Sequence, residues 1–302
     1  MTAIRESRTD LIFKYFVYCF LFVILILILY PLIYIISASI SDPTLVNQGK
    51  MWLLPKGITF VGYKLLFQYD EIWIGYRNTI FYTLLGVAIN LFVTLPAAYA
   101  LSRKKLVGRN FFMVMFVFTM FFSGGLIPSY LLVKNLGMIN TVWALVIPNA
   151  ASIWNIILCR TFFQVTIPKE LEDAASIDGC TNTKLFFKIV LPLSMPIIAV
   201  MALFYGVGHW NEYFSSLIYL NDEAKYPLQM VLRKILVLQE ISTETMDPAM
   251  AIANAEVINQ KADLSAVLKY AVILVSTLPM LIAYPFLQRY FVKGVMIGSI
   301  KG

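Results

Sequence analysis

Glu170-Leu-Glu-Asp-Ala-Ala-Ser-Ile-Asp-Gly179, followed ten residues later by Ile189-Val-Leu-Pro192, is a polar segment between two long apolar stretches. Pro168 suits the start of a helix, and the carboxylates behind it lie near the positive end of the helix dipole. Gly179 can adopt the left-handed conformation that ends a helix. Thr181 or Asn182 can cap a second helix. The segment therefore predicts a helix-turn-helix on the surface of a membrane.

The rest of the chain has the composition of a membrane protein. Hydrophobic residues make up 60% of the 302 residues, charged residues 14%, and the mean hydropathy is +0.76. Soluble domains have about 25% charged residues. Six windows without Asp, Glu, Lys or Arg reach the roughly 20 residues that cross a bilayer. They predict an all-α polytopic protein with six transmembrane helices, at about 14–39, 77–101, 110–133, 141–163, 190–213 and 268–291.

The basic residues predict the orientation of these spans. Fourteen of the 24 Lys and Arg residues lie before the first span, in the second-to-third and fourth-to-fifth connections, or after the sixth span. Because cytoplasmic loops are enriched in Lys and Arg, both termini and the polar helix are expected in the cytoplasm. We treat 1–302 as a single membrane domain with a core at about 77–291, preceded by the first span and an outer loop at 1–76.

Several enzyme classes are excluded by the residues that the sequence lacks. It has no G-x-x-x-x-G-K-[ST] loop for binding ATP phosphates. A single histidine and three cysteines without C-x-x-C spacing give no metal-ligand set. Nor does the chain contain a Ser-His-Asp arrangement. The basic net charge of +7 follows from the topology and indicates no nucleic-acid partner.

Two clusters within the spans are candidates for a transport pathway or gate. Ser123, Gly124 and Gly125 interrupt the third span and predict either a hinge that lines a pathway or a kink that neighbouring helices tolerate. Trp210, Asn211 and Glu212 end the fifth span. A charge near membrane depth is a functional hypothesis by default. The alternatives are that Glu212 snorkels to the outer interface and that Trp210 belongs to the outer aromatic belt.

The spacing of the polar segment resembles a known motif. Asp173-Ala-Ala, three residues, Gly179, nine residues, Ile189, one residue and Leu191-Pro192 match the coupling loop of bacterial ABC import permeases, E-A-A-x3-G-x9-I-x-L-P, with Asp in place of Glu. Further segments resemble multi-sugar permeases of the maltose-permease type, in the branch named for lipoproteins and aldouronate or polygalacturonan uptake. These segments are 122–137, 139–143, 208–213, 226–229 and 291–298.

The resemblance implies a permease subunit in a bacterial plasma membrane that translocates an oligosaccharide by alternating access. Its implied partners are a homologous second permease, two cytoplasmic ATPases that bind ATP and Mg, and an extracellular solute-binding protein. The chain itself would be no enzyme and would hold no cofactor or metal. The tail at 294–302 is implied to reach into the ATPase. Residues implied to couple the chain to the ATPase are Glu172, Asp173, Ala174, Ala175, Asp178, Gly179, Ile189, Leu191 and Pro192.

Two alternatives use the same sequence differently. A secondary carrier or channel would transport without an ATPase, although the scarcity of acidic residues within the spans disfavours one. A scaffold or sensor would hold a partner through the polar helix without transporting anything.

Overall fold

The computed structural model describes residues 7–244, 267–285 and 288. Every regular element within these residues is helical, which confirms the predicted all-α class. The helices are α1 Arg8–Ser39, α2 Pro43–Asn47, α3 Val61–Leu66, α4 Asp70–Ser102, α5 Arg109–Phe121, α6 Leu126–Asn135, α7 Trp143–Val146, α8 Ile153–Thr166, α9 Lys169–Ile177, α10 Asn182–Leu193, α11 Met195–Trp210, α12 Phe214–Tyr219, α13 Leu228–Glu244 and α14 Val267–Pro285.

Three described helices, α1, α4 and α14, are each long and apolar enough to cross a membrane. Two bent pairs, α5 with α6 and α10 with α11, pass the same test when each pair is taken as one span. The predicted count of six spans and the cytoplasmic position of both termini stay predictions. The tail at 294–302 lies outside the described residues.

The first two spans begin earlier than predicted because each helix extends beyond its charge-free window. At α1, the Ser7 hydroxyl accepts a hydrogen bond from the Asp10 N–H, and the Asp10 carboxylate accepts one from the Ser7 N–H. This capping box supplies the polar groups that a helix start needs. At α4, Asp70 and Glu71 occupy the first turn, where the helix dipole favours carboxylates.

The third predicted span is broken where the sequence places its small residues. α5 and α6 meet at an angle of 112° across the segment 122–125. Gly125 has φ 83° and ψ 175°, a conformation open essentially to glycine alone. Pro128 follows in the first turn of α6, where the absence of an N–H is tolerated. The interruption is therefore a sharp break rather than a gentle kink.

The fourth span was predicted as one continuous helix at 141–163, and this prediction is wrong. α7 ends at Val146 and α8 begins at Ile153. Pro148 has no N–H to continue the helix, and its ring conflicts with the carbonyl four residues earlier. The Asn90 amide of α4 donates to the freed carbonyls of Asn149 and Ala150, at 2.8 and 2.9 Å. Neighbouring side chains thus satisfy a backbone that the helix leaves unpaired.

The fifth span also departs from the prediction of one helix starting near 190. The helix runs from Asn182 through a π-helical turn at Phe186–Val190 and stops at Leu193, and α11 then leaves at 81°. Pro192 and Pro196 explain both features, since each removes a hydrogen bond to the residue four positions earlier. Pro192 therefore lies before the break and does not start the main membrane helix.

The described residues fall into two compact units. The first comprises the described residues within 1–69 and 235–277, with a small core of Ala38, Val46 and Met51. Two partly buried aromatic residues pack against this core, and the rings of Tyr34 and Tyr270 meet edge to face with centroids 5.9 Å apart. A Cβ on Gly62 of α3 would lie 2.9 Å from a Val267 methyl, so this helix pair requires glycine.

The second unit comprises the described residues within 70–234 and 278–302. It is organised around α4, which packs mainly on α8 and α11. The buried positions of α4 recur every three or four residues, which is the period of one helix face. Small and polar residues interrupt the apolar ones on this face: Gly75, Asn78, Thr79, Gly86, Asn90 and Thr94. Helices in membranes commonly associate through such residues.

The connection between the predicted fifth and sixth spans contains α12 and α13. The apolar positions of α13 recur every three or four residues and are buried within this chain at Leu228, Val231, Leu232 and Ile235. The ammonium of Lys234, in the second turn of α13, lies 2.7 Å from the Glu223 carboxylate, and this hydrogen bond raises the pKa of Lys234.

Candidate functional site

The polar segment folds as predicted into a short helix with a glycine stop. α9 begins after Pro168, with Glu170 and Glu172 in its first turn. At its end the Cys180 N–H donates to the Ala175 carbonyl at 2.8 Å, around Gly179 at φ +69°. This is the hydrogen-bond pattern of a Schellman stop. Thr181 then accepts from the Lys184 N–H and caps α10.

The two faces of α9 have different surroundings. Leu171 and Ala175 pack against the core beneath, and Ala175 is only 6% exposed. Asp173, Ala174 and Ile177 lie on the opposite side and are exposed, with Ile177 at 86%. We call these three residues the outer face of α9. It combines a carboxylate, a small residue and an apolar knob.

An ion pair joins α9 to the end of the second span. The Glu172 carboxylate pairs with Nη1 of Arg103, which lies just after α4. The same guanidinium stacks on Tyr99, with Cζ 4.2 Å from the ring centroid. Tyr99 in turn contacts Phe186 of α10 at 4.9 Å between centroids. Glu172 is therefore committed to its own chain, whereas Asp173 beside it remains exposed.

A cavity of about 770 Å³ lies beside this ion pair. Its walls come from the end of α4 and the following turn (96–106), from α9 (169–176) and from α10 (182–187). We call it the α4–α9 cavity. Its charged lining residues are Arg103, Lys104, Lys105, Lys169, Glu172 and Asp173.

The other predicted coupling residues lie in two places. Asp178 is exposed at the C-terminus of α9, next to Gly179. Ile189 and Leu191 are half-buried and pack against the core cluster below α4 and α8. Their part of the motif therefore holds α10 in place rather than extending the outer face of α9.

The predicted gate residues occupy unlike environments. Ser123, Gly124 and Gly125 are exposed at the break between α5 and α6. Trp210 is only 5% exposed and lies 6.3 Å from the Tyr76 ring, so the prediction of an outer aromatic belt is wrong for this residue. The reason is that the last turn of α11 packs into the chain instead of facing lipid.

The other two residues of that cluster make local hydrogen bonds. The Asn211 amide donates to the Val207 carbonyl at 2.9 Å. The Glu212 carboxylate accepts from the Ser215 N–H at 2.9 Å, in the first turn of α12. Glu212 thus satisfies a helix start, a role that the sequence interpretation did not consider.

One polar network was missed entirely. The Asn90 Oδ1 lies 2.7 Å from His209 Nε2, while the Asn90 amide holds the broken fourth span. Thr94 and Tyr205 pair at 2.6 Å one turn further along α4. Asn90 and Thr94 within an apolar span were the available signal, because polar groups at membrane depth need partners.

Most of the chain matches a known protein family. Residues 72–297 match the model described as "binding-protein-dependent transport system inner membrane component". The chain belongs to this family. Family membership makes it a multi-pass transport subunit of the inner membrane and not an enzyme.

Individual relatives agree with the family. The chain is 42% identical to Protein LplC of Bacillus subtilis, over 90% of this chain and 89% of that protein. It is 40% identical to the polygalacturonan/rhamnogalacturonan transport system permease protein YtcP of the same species, over 96% and 99%.

A solved structure extends the agreement to three dimensions. The chain superposes with a TM-score of 0.82 and 35% identity on a chain of a bacterial ABC transporter involved in the import of the acidic polysaccharide alginate. The match covers 96% of this chain and 100% of the other. This family member is therefore a permease subunit of an ABC importer.

Proposed function

We propose that this family member imports an oligosaccharide by alternating access, driven by a separate cytoplasmic ATPase that binds α9. The main support is the outer face of α9, because Asp173, Ala174 and Ile177 are exposed and no described part of the chain covers them. Ala174 lets a partner approach the helix backbone, Ile177 offers apolar area to bury, and Asp173 can pair with a basic group.

The opposite side of α9 supports a role in transmitting force. Ala175 packs on the core, and the Arg103–Glu172 ion pair connects the helix to the end of α4. A rigid helix held at two points moves as a unit with the elements that hold it. Displacement of α9 by the ATPase would therefore move α4, the central helix of its unit.

We further propose that the transported oligosaccharide carries carboxylates. Polygalacturonan and alginate, named for two similar proteins, are both acidic polymers. A cavity of about 570 Å³ at the N-terminal half of α4 supports this class, because Arg77, Lys225 and the Asn140 amide line it. Cations and amide groups of this kind can bind carboxylates.

Cross-linking tests the ATPase contact. The transporter is first purified from its native membranes through a tag on this chain, and the co-purifying ATPase is identified by mass spectrometry. Single cysteines then replace Ala174 or Ile177, after Cys19 and Cys180, which are not fully buried, are changed to serine. We expect a short thiol-to-amine cross-linker to join both positions to the ATPase.

Ala175 is the matched control, because it neighbours Ala174 in sequence but faces the core. Ala175→Cys should give no ATPase cross-link. Equal cross-linking at positions 174 and 175, or recovery of the chain with no ATPase, would contradict the proposed contact.

Substrate class is tested separately. In reconstituted transporter with its binding protein, oligogalacturonate should stimulate ATP hydrolysis more than a neutral glucan of equal length. Arg77→Gln should reduce that preference. Equal stimulation by both sugars would refute the acidic class and leave the ATPase contact untouched.

A further inference from the structure

We infer that the α4–α9 cavity is a binding site for an anionic phospholipid. Its two ends differ in chemistry. Pro96, Tyr99 and Ala100 belong to the last turns of α4, a helix apolar enough to cross the membrane. Phe186 and Phe187 line the cavity from α10, the first half of a bent pair that passes the same test. The apolar walls therefore continue the membrane-spanning surface.

The cationic residues lie just beyond the apolar part of α4 and at the start of α9. Arg103, Lys104 and Lys105 follow directly after Ser102, the last residue of α4, and Lys169 begins α9. Four cations thus face two carboxylates, Glu172 and Asp173, in one cavity. Apolar walls below a cationic rim match the shape of a phospholipid, with acyl chains inside and a phosphate at the rim. Basic pockets of this kind between cytoplasmic helix ends bind anionic headgroups.

The guanidinium of Arg103 has two N–H groups that need a hydrogen-bond acceptor. Its Nη1 pairs with Glu172, but its Nε and Nη2 are buried and have no hydrogen-bond partner among the described residues. Leaving buried donors unpaired costs free energy. Nε and Nη2 form the edge that binds two oxygens of a phosphate in parallel. A phosphodiester also needs no counter-ion in a cavity whose net charge is positive.

A phospholipid fits this cavity better than an acidic protein segment does. A protein loop from the cytoplasm would have to bury its own backbone against Phe186 and Phe187, whereas an acyl chain has no polar group to satisfy. Phe187 is 56% exposed, which leaves apolar area for such a chain to cover.

Native mass spectrometry of the complete transporter, purified from its membranes, tests the site. Phosphatidylglycerol is titrated into the delipidated complex, and retained lipid is counted. We expect tight binding that weakens about fivefold for each cavity lysine removed, hence about 25-fold in the double variant Lys104→Gln with Lys105→Gln. The matched control is Lys184→Gln with Lys188→Gln, since both lysines are exposed on α10 but outside the lining. The control should bind as the wild type does.

Four outcomes would overturn the inference. Equal loss in the two double variants would indicate general surface attraction. Equal retention of phosphatidylcholine would indicate acyl packing without headgroup recognition. Complete competition by millimolar inorganic phosphate would assign the site to a free anion. Binding to the permease pair alone, lost when the ATPase is present, would assign the cavity to the ATPase. The first three outcomes leave the proposed contact between α9 and the ATPase untouched, and the cross-links decide that contact separately.

Discussion

Replacing Gly86 by alanine should disrupt the contact between α4 and α11. A Cβ at this position would lie 2.4 Å from His209 Nε2 and 2.6 Å from Cε1, whereas real Cβ contacts stay above 3.0 Å. The imidazole must retreat by about 1 Å to reach van der Waals distance. That movement breaks the 2.7 Å contact between His209 and Asn90, the residue that also holds the broken fourth span.

The net cost can be worked from three contributions. Overpacking a core costs about 1–3 kcal/mol. Loss of one hydrogen bond costs about 0.5–1.5 kcal/mol. Alanine regains about 1 kcal/mol over glycine within a helix. We therefore expect Gly86→Ala to destabilise the folded chain by about 0.5–3.5 kcal/mol, which lowers the melting temperature by about 1–14 °C at about 2–4 °C per kcal/mol. Thermal unfolding of the purified chain in mild detergent, followed by size-exclusion chromatography, measures this shift.

Gly206→Ala is the matched control within α11. Its Cβ would meet only a Val87 methyl at 3.8 Å, an ordinary contact, so its melting temperature should stay level or rise slightly. A double-mutant cycle isolates the cause. In a His209→Ala background, Gly86→Ala should cost nothing further. The reasoning is refuted if Gly86→Ala is as stable as Gly206→Ala, or if its cost persists without His209.

Three further perturbations test other contacts. Thr79→Val should cost about 1–3 kcal/mol in melting experiments, because the Thr79 hydroxyl accepts a hydrogen bond at 2.7 Å from the buried Leu228 N–H that starts α13. Thr83→Val, one turn away, should be neutral or stabilising, since the Thr83 hydroxyl is buried with no partner among the described residues. Equal losses of stability in the two variants would contradict the assignment. Gly179→Val should strain the left-handed end of α9 by about 1–2 kcal/mol and lower the amount of sugar taken up per ATP hydrolysed. Gly179→Asn should retain coupling, because asparagine tolerates this conformation. Normal uptake in the valine variant would contradict a role of this helix end in coupling. Arg103→Glu should lower the ratio of sugar uptake to ATP hydrolysis, and adding Glu172→Arg should restore part of it. A double variant without this recovery would show that the ion pair does not connect α4 to α9.

The local parts of the site could be predicted from the sequence because their signals lie within a few residues. The Gly179 stop, the Thr181 cap and the break at Gly125 each follow from the backbone preferences of one residue and its neighbours. The polar helix could be located for the same reason.

The long-range parts could not be predicted. Pro148 signals a disturbed helix. Whether the span only kinks or opens fully depends on a donor for the freed carbonyls, and that donor is the Asn90 amide, 59 residues before Asn149. The pairing of Glu172 with Arg103 likewise requires α4 and α9 to be adjacent. Hydropathy windows sum composition and carry no information about such pairs, which is why the fourth and fifth spans were drawn as continuous helices.

The interrupted spans have a consequence for biogenesis. α5 has 13 residues and α11 has 16, each short of the roughly 20 that cross a bilayer alone. The carbonyls exposed at the fourth-span break find their donor on α4, which the ribosome delivers first. These segments are therefore expected to stay beside α4 at the translocon and to enter the lipid together with it, rather than one span at a time. An Asn90 substitution would then appear in cells as failed membrane integration and degradation, before any transport step could be measured.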